Sequence, residues 1–448
     1  MLVSQLIHRF THPRVRGTLN HTVVGLTNNS RDAGPGIVFV ALPEGQRTNP
    51  YQAIAAVERG AAAVICAPGV PLPEHGTCIT VSDPTQAMAL AAAELYDHPS
   101  DHLEMIQVKG ARAATIAHLL HQLLNACGRS AGLLTSQGCQ LGDRYLPTPV
   151  ERLEPLAVQE SLRHLVRAGH KACVVEQFSQ TESVRNFYGI RFHASLEIED
   201  SSDSKGLASL GHSLSAGPLR ATELVLSQAA THFNVSLGRH RVVVRCPLAG
   251  RALASDLLYA LRASIHLGLQ PNALTRACGR LKPIPGSLAP VRSGQPFAVL
   301  VDGANQAESL ATSIRDTAEI TPGRILVVLG GSADHTVAER ETLGRAAAHG
   351  ADEVIVTNHN PRELDAASLA RDVLQGVHSV PRTISHVELD RYRAIRRALR
   401  LASPGDTVLI SGKGHRCIQQ LERCVIPFND AIVARETLAE IGYSGSEL

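Results

Sequence analysis

Tryptophan is absent from this chain of 448 residues, and Phe, Trp and Tyr together make up only 3% of it. Stacking platforms for nucleic-acid bases are therefore not expected. The formal net charge is only +2, so no bulk attraction to a polyanion is implied. Lysine is scarce, with Lys109, Lys171, Lys205, Lys282 and Lys413 the only five. Any lysine-dependent chemistry has five candidates, because arginine neither acts readily as a base nor forms a carbamate. No run of ~18 uncharged apolar residues occurs, which argues against a membrane span. The first ten residues, Met1 to Phe10, lack a long apolar core and a small-residue cleavage site. No signal peptide is expected from them, and the expected location is cytoplasmic. The nine cysteines include no C-x-x-C pair and read as reduced thiols. The 21 histidines show no H-E-x-x-H spacing and read as surface or core residues.

What is present is an ordinary globular composition, 44% apolar and 19% charged. The length calls for two or three domains. Residues 1–100 alternate strands (Gly36–Leu42, Ala61–Cys66, Thr77–Val81) with helices (Tyr51–Arg59, Thr85–Tyr96), a small α/β domain. Residues 101–292 begin with a strand at Leu103–Val108, continue through a strand at Ala172–Glu176 and a helix at Ala254–Leu267, and reach the breaker-rich Lys282-Pro-Ile-Pro-Gly286. Residues 293–448 carry strands at Phe297–Asp302, Ile325–Leu329, Glu353–Thr357 and Thr407–Ser411 separated by amphipathic helices. That order predicts a doubly wound, Rossmann-like domain with ligands at the carboxyl ends of its strands.

One segment has the layout of a phosphate loop. In Ile106-Gln-Val-Lys-Gly-Ala-Arg-Ala-Ala-Thr-Ile-Ala117 an apolar strand meets Gly110, small residues and Thr115, then a helical pattern. Such a loop needs glycines for close backbone approach and a lysine for the terminal phosphate. Here the second glycine position is Ala113 and the lysine position is Ala114. Gly110 and Thr115 remain, either as vestiges of nucleotide binding or as a plain strand–turn–helix connection.

Motifs in three successive segments resemble the Mur ligase family of peptidoglycan synthesis. The first holds Asn29-Ser-Arg31, Pro35-Gly36, Phe39-Val-Ala-Leu42 and Gly60-Ala-Ala-Ala-Val64. The middle holds Pro247-Leu-Ala-Gly-Arg251 and Leu281-Lys-Pro-Ile-Pro-Gly286. The last holds Val356-Thr-Asn-His-Asn-Pro-Arg362, Pro404-Gly-Asp406, Gly412-Lys-Gly-His415 and Pro427-Phe-Asn-Asp430. The chain looks most like the branch that adds diaminopimelate or lysine to UDP-N-acetylmuramoyl-dipeptide. The resemblance implies a three-domain α/β architecture: a uridine-nucleotide domain, a P-loop central domain with degenerate motifs, and a Rossmann-like ligand domain. It also implies ancestry in an ATP- and magnesium-dependent ligation through an acyl phosphate. Ser30 and Arg31 then help to seat the UDP precursor, or else shape the turn before Pro35-Gly36. Arg362 is a carboxylate clamp or a turn cap. Asn360, Gly412 and Arg416 complete an expected amino-acid site.

The departures fall on the family's chemical positions. Glu176 aligns with a metal-binding carboxylate, or is a paired or solvated one. The neighbouring metal histidines are replaced by Gln180 and by the Ser201-Ser-Asp203-Ser204 segment, where Asp203 is a vestige. No lysine lies between Lys205 and Lys282 to form a carbamate. The Gly-His-Glu element reads Gly414-His-Arg416, a reversed charge that disfavours the amino group of diaminopimelate. The expectation is a catalytically inactive homologue with no cofactor. It would bind a UDP-muramoyl precursor or a protein partner such as a cell-wall ligase, and neither nucleic acid nor membrane. An active ATP-dependent amino-acid ligase, with ATP and magnesium, is the alternative. An amino-acid-binding protein using Arg362 and Arg416 is a third reading.

Overall fold

In the computed structural model the described residues are 1–42, 50–72, 74–110, 112–142, 144–146, 154–177, 187–198, 219, 221–228, 230–237 and 240–445. They form two compact units. The first contains Met1–Ala117 and the described part of Gly128–Ser201; the second contains His118–Cys127 and the described part of Ser215–Leu448.

The first unit carries two sheets. One orders its strands Arg14–Arg16, Cys78–Thr80, Ala63–Cys66, Ile37–Val40 and Gly25–Thr27, parallel except for the first. Short runs such as Ala63–Cys66, buried at every position, are what a sheet covered on both faces requires. The helix Pro84–Leu95 starts where Asp83 accepts from the backbone N–H groups of Thr85 and Gln86 and Pro84 fixes the first turn. The other sheet orders Ala194–Glu197, Glu104–Lys109, Ala172–Gln177 and Ala131–Thr135 in parallel. A meander of Gly138–Leu141 and Arg144–Leu146 then extends its edge.

The second unit has a three-stranded antiparallel sheet, Ala221–Leu226, Thr231–Leu237 and His240–Cys246, and a larger mixed sheet. The larger sheet runs Ala289–Pro290, Ala298–Asp302, Thr407–Ser411, Ile325–Ser332, Glu353–Asn360 and Ile384–Val387, with all but the first strand parallel. Strand pleating sends alternate residues to opposite faces. Val299, Val301, Leu326, Val328, Val408 and Ile410 share one core cluster with Ala394, Ile395, Ala398 and Leu399 of the helix Arg391–Leu401 and Val433, Ala434 and Leu438 of Asp430–Glu440. The helices Ala307–Ala318, Val337–Ala348 and Ala366–His378 pack in series, and each also contacts a strand of this sheet. This is the doubly wound arrangement that the sequence pattern predicts.

The pairing of Val337–Ala348 with Ala366–His378 depends on two glycines. A Cβ at Gly344 would lie 1.9 Å from the Val373 carbonyl oxygen, and one at Gly376 would lie 1.9 Å from that of Glu341. Each helix leaves out a side chain where the other's backbone passes. Gly376→Ala is therefore expected to force the helices apart and lower unfolding stability by about 1–3 kcal/mol in urea melts. An unchanged midpoint would show that this contact carries no such constraint.

Candidate functional site

At the amino-terminal candidate, Ser30–Asp32 is one 3₁₀ turn. Asn29 caps it: its Oδ1 accepts from the Arg31 N–H at 3.1 Å and its Nδ2 donates to Asp32 Oδ2 at 2.9 Å. Arg59 Nη1 donates to the Arg31 carbonyl at 3.3 Å. Ser30 is half-buried and the Arg31 residue is exposed. The turn thus has its own internal support, with the Arg31 side chain at the surface.

In the phosphate-loop region Gly110 ends the strand Glu104–Lys109, and the helix Ala113–Ala126 follows. Gly110 has φ +112°, and a Cβ there would stand 2.4 Å from the Ile198 carbonyl oxygen. Both facts demand glycine, and the crowding comes from the protein's own backbone. Ala113 is buried, as is Thr115. Glu176 lies on the adjacent parallel strand, in register with Val108. Its Oε2 accepts from the Ser136 N–H at 2.8 Å and the Ser136 hydroxyl at 2.9 Å. Burial pushes its carboxyl pKa up from the usual 4.5, against the lowering effect of the Ser136 bonds. Asp203 lies outside the described residues. Among the described residues no group of three or more His, Cys, Asp or Glu is placed to hold a metal ion. Of the positions that the resemblance assigns to phosphate and metal, Ala113 is a buried methyl-bearing residue and Glu176 Oε2 is bonded to Ser136.

The structure brings four of the predicted residues to one end of the large sheet. Asn360 and Gly412 lie at or just past the carboxyl ends of the strands Glu353–Asn360 and Thr407–Ser411, with Arg362 and Arg416 close behind. At their centre is Lys413, a residue not singled out from sequence although it is one of only five lysines. It is fully buried; its Nζ donates to Asn360 Oδ1 at 3.0 Å and to the Ile418 carbonyl at 2.9 Å, and lies 5.8 Å from the centre of the Phe428 ring. Asn360 Oδ1 also accepts from the Gln420 N–H, so this amide braces the lysine and the following hairpin. Arg362, at φ +49°, pairs with Asp334 at 2.7 Å and donates to Gln420 Oε1 at 2.8 Å. A ligand carboxylate at Arg362 would have to compete with Asp334.

Charge is concentrated behind this cluster. Arg391 and Asp430 form a fully buried two-bond pair, both contacts at 2.8 Å, and Arg391 Nη2 also donates to the Ser411 carbonyl. Burial first, then the positive charges of Arg391 and Arg416, pulls the Lys413 pKa from 10.5 to about 7, with Asp430 opposing. His359 is 1% exposed, and neither ring nitrogen has a hydrogen-bond partner among the described residues. Burial holds it neutral, reinforced by Lys413, Arg391, Arg416 and His335. A Cβ added to Gly412 would rest 3.4 Å from the His359 ring, so the glycine lies directly against it.

Residues 288–414 match the Mur ligase, glutamate ligase domain. This chain carries a Mur ligase C-terminal domain. The likeness extends further. The chain is 28% identical to the UDP-N-acetylmuramoyl-L-alanyl-D-glutamate–2,6-diaminopimelate ligase of Solibacter usitatus, over 94% of each chain. It is 29% identical to the Alkalilimnicola ehrlichii enzyme of the same name, over 93% of this chain and 95% of that one. Among solved structures a UDP-N-acetylmuramoyl-L-alanyl-D-glutamate–2,6-diaminopimelate ligase superposes with a TM-score of 0.62 at 20% identity, covering 98% and 99%. The UDP-N-acetylmuramoylalanyl-D-glutamyl-2,6-diaminopimelate–D-alanyl-D-alanyl ligase of Acinetobacter baumannii superposes with a TM-score of 0.59 at 15% identity, covering 92% and 94%. The fold is that of the three-domain Mur ligases.

Two outcomes follow from the buried charges. Lys413 has a folded pKa below its unfolded one, so its contribution to stability rises with pH above about 7. Between pH 7 and about 8.5, below the ordinary thiol and lysine ranges, the stability of wild type relative to Lys413→Met is expected to climb in denaturant melts. A flat difference would refute the depressed pKa. For Glu176 the folded pKa is raised, so its contribution is present below its ordinary 4.5 and lost as pH rises. Glu176→Gln, whose amide oxygen can still accept from Ser136, is expected to be as stable as wild type or more so at pH 7. That advantage should vanish under acid conditions; a loss of stability at pH 7 would refute it.

Proposed function

We propose that this chain is a Mur-ligase-fold binding protein that no longer performs the ordinary ATP-driven ligation. It acts as a binding, scaffold or regulatory partner in peptidoglycan-precursor metabolism. The observation carrying this reading is the Gly110 loop. Ala114 stands where the resemblance places a phosphate-binding lysine, Ala113 stands in a glycine position and is buried, and Glu176 faces Ser136. Stabilising a transferring phosphoryl group is almost wholly electrostatic. Loss of a lysine and of metal-ligand positions together would remove several kcal/mol of that stabilisation.

The ligand class follows from the relatives. Those covering nearly the whole chain are named as ligases of a UDP-N-acetylmuramoyl-dipeptide. A UDP-muramoyl precursor held near Ser30 and Arg31 is accordingly the favoured small ligand. The second reading, an active amino-acid ligase on that precursor or a related carboxylate, draws on the same end-to-end similarity. Under it ATP and magnesium would be needed, held by residues other than those described around Gly110.

Calorimetric titration separates the two. Saturable binding of UDP-N-acetylmuramoyl-dipeptide is expected, with no binding of Mg-ATP at millimolar concentration. The double variant Ala113→Gly, Ala114→Lys is expected to gain measurable Mg-ATP affinity. Wild-type ATP binding would overturn the loss of phosphate chemistry; absence of precursor binding would remove that ligand and leave only a protein partner.

A further inference from the structure

The segment Asp390-Arg-Tyr-Arg-Ala-Ile-Arg-Arg-Ala-Leu-Arg-Leu401 places five arginines on or beside two faces of one helix, Arg391–Leu401 being helical. Ala394, Ile395, Ala398 and Leu399 face the sheet, and Arg391 is anchored inward on Asp430. That anchoring leaves Arg393, Arg397 and Arg400 exposed, at the i, i+4 and i+7 positions of one outer column, with Arg396 half-buried beside them. With Tyr392 and Leu401 these four arginines line an open groove of about 410 Å³.

Their charge is poorly compensated. Arg396 pairs with Glu440 at 2.7 Å, and Arg393 has only a 3.9 Å contact with Asp390. Arg397 donates to His386 Nδ1 at 2.8 Å, a neutral acceptor in that role. Among the described residues neither Arg397 nor Arg400 has a carboxylate within ion-pair distance. Like charges four residues apart work against the helix that carries them. Arg400, in the last turn, gains from the helix dipole, whereas the i, i+4 pair Arg393 and Arg397 costs helix stability.

We propose that this outer face docks an acidic, amphipathic helix of a partner protein. Guanidinium groups present planar forks that match carboxylates. The arginine stems, Tyr392 and Leu401 supply an apolar floor between them. The seven steps from Arg393 to Arg400 span roughly 10 Å, two turns of a helix with carboxylates at matching spacing. Nucleic acid is the poorer fit, because the chain's net charge is only +2 and the groove has one aromatic ring, already under Arg396. The proposal deepens the binding-partner reading and rests on it for the partner being a protein.

The test uses the full chain and a fluorescein-labelled synthetic helix of about four turns with Glu and Leu at i, i+4 spacing. Fluorescence anisotropy is expected to show salt-sensitive binding. Arg393→Glu, Arg397→Glu, Arg400→Glu together should weaken it at least about tenfold, and the triple Gln variant less. A control reversing Arg14, Arg191 and Arg371, all exposed, should change it less than about twofold. Circular dichroism of each variant checks that the fold is kept. No binding by wild type, an equal loss in the control, or tighter binding of single-stranded RNA through the same arginines would each overturn the proposal. Precursor and Mg-ATP titrations of the helix triple should match wild type, so failure here and failure of the nucleotide reading remain distinguishable.

Discussion

The buried Arg391–Asp430 pair is the contact on which the carboxyl-terminal unit turns. Arg391 opens one helix, Asp430 opens another, and the same guanidinium reaches the Ser411 carbonyl at the end of a central strand. Three elements are thereby fixed at one point, with no part of either side chain exposed. Two charges so deeply buried are tolerable only when paired in two bonds, and removing one would leave the other uncompensated. Asp430 also sits in the first turn of its helix, where the backbone dipole favours a negative charge. The geometry has consequences on both sides of the helix Arg391–Leu401. Inward, it sets a positive field around Lys413 and His359. Outward, it fixes which arginines face solvent.

Much of this was legible in the sequence. The strand Thr407–Ser411 lies where its apolar run predicts, and Ala172–Gln177 and Ala298–Asp302 differ from expectation by one residue at an end. These are continuous apolar runs bounded by turn residues, the clearest signal a buried parallel strand gives. The strands Ile325–Ser332 and Glu353–Asn360 run three residues longer than expected, because their ends are glycines or polar groups that sheet pairing, not an apolar run, keeps extended. The antiparallel sheet Ala221–Cys246 was not anticipated. Its first strand exposes alternate residues such as Glu223 and Val225, so its hydrophobic signal is weak.

Site residues divide along the same line. Gly110 was singled out through its phosphate-loop layout and Asn360 and Gly412 through motif order, and each occupies a position that constrains the backbone or a neighbouring side chain. The pairing of Arg391 with Asp430 spans 39 residues, and no local pattern announces it. Lys413 was visible only as a rare residue within Gly412-Lys-Gly414; its burial and its amide partner required the fold. The Asp334 partner of Arg362 was equally hidden, since it joins two loops 28 residues apart.

Glu176 and Lys413 share a property that bears on function. Each is an ionisable group at the carboxyl end of a parallel sheet, where ligands of such folds gather. Each is nevertheless turned toward protein: Glu176 to the backbone and hydroxyl of Ser136, Lys413 to an asparagine and a carbonyl. Burial then shifts both toward their neutral forms. Gly110 completes the pattern, since its missing side chain makes room for the Ile198 carbonyl. In this geometry Gly110, Glu176 and Lys413 serve packing and local hydrogen bonding. The unspent charge lies at the surface, on Arg393, Arg397 and Arg400. On the proposed reading, a molecule arranged in this way holds a partner rather than activates a carboxylate.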